Sequence, residues 1–140
     1  MTVRLRGLVL TGLVATLVAM ASTTFVAALA RAAGVDFEVD GSGETIPLSG
    51  FAVVTGVFSL VGVVLAVALL RWSARPPERF VWTAVLLTML SLVPPFLSDA
   101  DAAATTALIA LHLVAAGVMI PALAWGLRAR SERRAAAWAG

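Results

Sequence analysis

The sequence predicts an all-α protein, a membrane four-helix bundle with four transmembrane helices and a small extracytoplasmic β-hairpin-like loop. Three observations predict it. The 140 residues are 61% hydrophobic and 13% charged, with a mean hydropathy of +1.00, whereas a soluble domain is about half apolar and a quarter charged. Four apolar stretches reach the length a hydrocarbon core demands, roughly 20 helical residues. The charges between those stretches alternate in sign. Nine of the ten Arg residues (Arg4, Arg6, Arg71, Arg75, Arg79, Arg128, Arg130, Arg133, Arg134) form three clusters, and six of the eight acids (Asp36, Glu38, Asp40, Glu44, Asp99, Asp101) fill the two alternate gaps beside the lone Arg31. Basic segments stay in the cytoplasm. The expected protein is therefore a multi-pass protein of the cytoplasmic (inner) membrane, one integral domain over residues 1–140, with N and C termini cytoplasmic.

The first span is expected at about Gly7–Ala30. Arg4, Arg6 and Ala28-Leu29-Ala30 resemble a cleaved leader, but a leader core is only about 7–15 residues and this run is longer. The loop after it alternates Val35, Phe37 and Val39 with acids, then supplies Asp40-Gly41-Ser42-Gly43. That two-residue period with turn residues reads as a hairpin lying apolar face down over the outer mouth. The second span, about Gly50–Leu70, carries a row of small residues: Ala52, Gly56, Ser59, Gly62 and Ala66. Such rows let helices approach closely, here within the bundle or, alternatively, in a second copy. Arg71 to Arg79 is a cytoplasmic turn broken by Pro76 and Pro77. The third span is expected at about Phe80–Leu97. Ser98 reads as the N-cap of the fourth, about Ala102–Leu127, with Asp101 in its first turn. The Arg- and Ala-rich tail 128–140 continues that helix briefly, then rests on or near the membrane surface. All four Trp (Trp72, Trp82, Trp125, Trp138) fall at or beyond the cytoplasmic ends of the spans, where headgroups begin.

Charge and composition also bound the partners. The basic side sums to +7 and the acidic side to −5, which gives the net +2. Such a split points to anionic lipid headgroups at the Arg clusters and not to nucleic acid. Every basic residue is Arg, which binds phosphate bidentately. No cysteine is present, so disulfides and thiolate metal sites are excluded. The spans contain no phosphate loop, HExxH or Ser-His-Asp set, and no cofactor is expected.

His112 is the only ionisable residue well inside a span. About ten residues into the fourth span, it lies roughly 15 Å deep by the helical rise. Intramembrane ionisable groups are costly and are functional candidates. Ser22, Ser59 and Thr88 lie at similar depth on the other spans, with Ser91 a turn above Thr88. A polar layer of Ser22, Ser59, Thr88, Ser91 and His112 is therefore expected. It either locks the helices together by hydrogen bonds or faces a ligand or a proton path. One His without a carboxylate is a poor metal site, so none is expected. Pro94, Pro95 and Pro121 should break or kink helices. Pro121 should free the carbonyl of Gly117, and the pair should free those of Leu90 and Ser91. Broken helices serve transporters as binding sites, although most membrane prolines merely bend. Asp36, Glu38, Asp40, Gly41 and Ser42 look like half a calcium loop, but its twelfth position is Pro47 where a Glu is needed.

The strings Ile46-Pro47-Leu48-Ser49-Gly50-Phe51, Ser91-Leu92-Val93-Pro94-Pro95 and His112-Leu113-Val114-Ala115-Ala116, with Pro121, span most of the chain. Through them it resembles a family of small four-helix bacterial membrane proteins catalogued as domain of unknown function 6069. The resemblance reaches to about Arg130. It implies a four-span membrane protein and brings no activity, substrate or cofactor. The expectation is a non-catalytic binding or accessory protein, holding a small apolar or lipid-like ligand near His112. A small transporter or channel-like oligomer, and a structural subunit of a larger membrane complex, are the alternatives.

Overall fold

The computed structural model describes residues 3–38, 43–97 and 101–139. Five helices make four crossings: α1 (Val3–Ala32), α2 (Leu48–Trp72), α3 (Pro76–Ser91) continued by the short α4 (Val93–Leu97), and α5 (Ala102–Ala139). Each crossing is long and apolar enough to span a membrane. In lipid only a helix satisfies its own backbone without closing a barrel, and the described residues contain no strand. The protein is an all-α four-helix membrane bundle.

α1 packs against α2 and α5, α3 against α5 and to a lesser extent α2, and α1 and α3 do not meet. Two apolar clusters hold this arrangement. The larger, in the half that carries the Arg clusters, joins Leu8, Ala15 and Ala19 of α1 to Val63 and Ala66 of α2. Phe80 of α3 and Met119, Leu123, Ala124 and Leu127 of α5 complete it. The smaller closes the acidic end with Ala27, Phe37 and Leu111, flanked by Val35, Ile46 and Phe51.

The small row on α2 faces inward. Gly56, Ser59 and Ala66 are buried, with Gly56 against Met20 of α1 and Gly62 toward Leu123 of α5. The closest approach is at Gly12 of α1, where an added Cβ would lie 2.5 Å from Val63 Cγ2 and 3.3 Å from Leu123 Cδ2. Only hydrogen fits there.

Helix ends are set by local chemistry, and here the structure corrects several expectations. α1 ends in a paired turn: Val35 N–H donates to Ala30 O (3.0 Å) and Gly34 N–H to Arg31 O (2.9 Å). Gly34 takes φ +88°, a left-handed conformation that glycine adopts without steric cost. The Arg31 guanidinium donates to Ile46 O, which ties the end of α1 to the entry of α2. The hairpin is not formed as a pair of strands among the described residues. It is reduced to one antiparallel bridge, Glu38 with Thr45, beside an Ile46 N–H bond to Phe37 O (2.9 Å); its tip, 39–42, lies outside the described residues. Phe37 is nevertheless buried, edge-on to Phe51 with ring centroids 4.9 Å apart. One large buried side chain anchors the loop beside this single bridge.

The prolines expected to break the turn between the second and third spans begin a helix instead. Pro76 and Pro77 occupy the first positions of α3, where a missing N–H costs nothing. α5 starts at Ala102, with Asp101 as its N-cap: Asp101 Oδ1 accepts the Ala104 N–H at 2.6 Å. A carboxylate one residue before the helix reaches the third N–H directly. Ser98, expected in that role, lies outside the described residues. The tail does not end the helix early either, since α5 runs on to Ala139.

Candidate functional site

The expected polar layer is present as residues but not as a network across helices. His112 is half-buried on α5, and its Nδ1 lies 2.8 Å from Leu108 O of its own helix. Thr88 donates to Ala84 O (2.8 Å) and Ser91 to Thr88 O (2.7 Å), again within α3. Ser59 is buried between α2 and its neighbours, and Ser22 is half-buried on α1. Since α1 and α3 do not pack together, Ser22 and Thr88 do not converge. The reason is general. The carbonyl four residues back lies within reach of any hydroxyl on a helix, and Thr11, Thr16, Thr106 and Ser131 use it too.

One hydroxyl pair does cross between helices. Thr23 and Thr55 approach to 3.1 Å, while Thr23 also donates to Ala19 O (2.9 Å). Neither residue belongs to the expected polar layer. The signal that could have found Thr23 is its place on the buried row of α1 beside Ala19 and Ala27.

Pro94 and Pro95 stand just past a helix break. α3 stops at Ser91 and α4 restarts at Val93, so both prolines fall in a first turn. Leu92 between them keeps bonds from its N–H to Thr88 O (3.2 Å) and Met89 O (3.3 Å). Pro121 sits inside α5, which continues through it. It has no N–H to offer the Gly117 carbonyl one turn earlier, and Gly117 is exposed.

A cavity forms elsewhere. Leu10, Thr11, Val14, Ala15 and Val18 of α1 and Val118, Ala122 and Trp125 of α5 line an open cleft of about 600 Å³. Its walls are apolar, with Trp125 exposed along one edge. Toward the basic end the cleft meets a different chemistry. Thr11 donates to Gly7 O (2.9 Å), and the Arg130 guanidinium lies between α1 and α5. An added Cβ on Gly7 would stand 2.7 Å from Arg130 Nη2, and one on Gly126 3.3 Å from Nη1. Arg130 Nη1 donates to Gly126 O at 2.6 Å. Two glycines on facing helices thus make room for one guanidinium. Arg6, Arg128 and Arg133 are exposed at the same end. Trp72 and Trp82 are also exposed. Among the described residues no group of His and acids is placed to hold a metal ion.

The model of the family described as "Family of unknown function (DUF6069)" matches residues 3–129. The chain belongs to that family. The match covers the four crossings and stops within the Arg-rich stretch, just before Arg130. No curated protein and no solved structure matches the chain. Membership therefore accompanies a four-helix architecture and carries no activity with it.

Proposed function

We propose that this DUF6069 protein is a non-catalytic binding or accessory protein of the cytoplasmic membrane, both termini inside, that receives a lipid-like apolar chain from the bilayer in the cleft between α1 and α5. The observation that carries the reading is the cleft itself: about 600 Å³, shallow and widely open, and lined mostly by aliphatic side chains together with Thr11 and the exposed Trp125. Binding sites for apolar ligands are mostly apolar with few polar groups. A sideways opening between membrane helices admits a hydrocarbon chain without passage through water. The orientation rests on the split of charge between the two ends.

The test uses Trp125 as reporter. A protein whose other Trp are replaced by Phe is placed in phosphatidylcholine vesicles that contain brominated phosphatidylcholine. Val14→Phe fills the cleft from an exposed position without touching the core. It should reduce quenching of Trp125 and leave the helical content unchanged; equal quenching with and without Val14→Phe would sink the reading. A second candidate contact is His112 by itself, without a shared layer with Ser22, Ser59, Thr88 and Ser91. It stands if His112→Ala, with folding intact, changes retention of a bound apolar molecule.

A second reading, a structural subunit of a larger membrane complex, draws on a different observation. α3 exposes Trp82, Leu86, Met89 and Leu90 along most of its length. A photo-crosslinker at Leu86 would capture a protein partner in native membranes if that face is covered, and lipid alone if it is not.

A further inference from the structure

Resting on the reading of the cleft as a lateral acyl-chain site, we propose that its occupant is an anionic glycerophospholipid whose phosphate meets the Arg130 guanidinium. The geometry joins two features that the helices hold in line. Thr11 and Trp125 form the last apolar walls of the cleft. Gly7 stands one turn before Thr11 and Gly126 directly follows Trp125, and the Arg130 guanidinium lies against both glycines. Thr11 Cγ2 would lie 3.8 Å from a Cβ on Gly126, so the apolar slot and the cation adjoin. A chain lying along Val14 and Val18 would therefore bring its headgroup to Arg130.

Charge selects the class of headgroup. Arg6, Arg128 and Arg133 surround this end, and the acids on the same side of the bundle are only Glu78 and Glu132. A planar guanidinium matches phosphate oxygens bidentately, and a site between two helices restricts its rotamers. Arg130 differs from Arg6 and Arg128 in this respect. Its Nη1 is fixed to Gly126 O, whereas Arg6 and Arg128 lie exposed and attract anions only as a diffuse cloud.

The experiment compares brominated phosphatidylglycerol with brominated phosphatidylcholine, at equal mole fraction in phosphatidylcholine vesicles, as quenchers of the sole-Trp125 protein. Phosphatidylglycerol should reach half-quenching at a mole fraction about fivefold lower, the weight of one basic group against an anionic lipid. Arg130→Gln should bring the two titrations together, and Arg128→Gln should leave them apart. Arg130→Lys keeps the charge without the planar fork and should retain part of the separation, which keeps the test sound if Arg130→Gln misfolds. Coincident titrations in the parent protein would overturn the headgroup assignment. So would Arg128→Gln erasing the preference as fully as Arg130→Gln, since the arginines would then act only as surface charge. The Val14→Phe control separates the two failures. If it lowers quenching by both lipids while the titrations coincide, the cleft stands and the headgroup assignment falls; if it changes nothing, both fall.

Discussion

α1 and α3 are alike in composition and opposite in packing. The most apolar stretches of α1 and of the crossing made by α3 and α4 have mean hydropathy 2.0 and 1.9, yet 28% of the first and 11% of the second is buried inside the protein. α1 buries a row of mostly small residues, Gly12, Ala15, Thr16, Ala19, Thr23 and Ala27, against two helices. α3 buries Pro76 and Phe80 near its start and turns Leu86, Met89 and Leu90 outward. The difference teaches what joins helices in lipid. Bilayer tails are as apolar as leucine, so apolarity alone draws no helix to another; close backbone approach and van der Waals contact do. α1 has the small residues for that approach, and α3 has its buried residues, Pro76 and Phe80, near its basic end.

Four changes would break or sharpen this contrast. Phe80→Ala should have the largest effect, a loss of about 3 kcal/mol by the usual cost of removing a buried ring, read from unfolding in mixed micelles. A loss near zero would mean that α3 is held by something other than Phe80. Gly12→Ala should follow, at about 1–3 kcal/mol, because the new methyl meets Val63 at 2.5 Å and both backbones are fixed by packing. A neutral result would show that α1 and α2 can part without penalty. Thr23→Val should cost roughly 0.6 kcal/mol, the average of hydrogen bonds between membrane helices; the double variant with Thr55→Val should add little, because the pair is already broken. Leu86→Ala on the open face of α3 should stay within about 0.5 kcal/mol. A larger effect there would reveal a covered surface and favour the subunit reading.

Much of the architecture was legible because it depends on length and sign of charge. A run of apolar residues must be helical in lipid, and the four crossings fall where hydropathy places them. Helix ends were less legible, since one side chain decides each. Asp101 and Ser98 are both good N-caps by residue type, and only the path of the chain selects Asp101. Pro76 and Pro77 read equally as a broken turn or a first helical turn. The hydroxyl layer shows the same limit. Ser22, Ser59, Thr88 and His112 share a depth that can be counted along the chain, but depth says nothing of azimuth. Thr88 and His112 turn to carbonyls of their own helices. The pair that does bridge, Thr23 with Thr55, is unremarkable in type and is found only by knowing which faces meet.

What the chain alone determined is the number of crossings, their helical character and the segregation of arginine from acid, because each follows from transfer of residues between water and hydrocarbon. What only the tertiary structure decided is which helices touch. Gly7 is separated in sequence from Gly126 and Arg130 by most of the protein, and no local pattern joins it to them. The antiparallel meeting of α1 and α5 brings two missing side chains together and leaves a guanidinium in the space. That juxtaposition depends on rotation about helix axes, which small residues set by steric fit and which hydropathy does not encode.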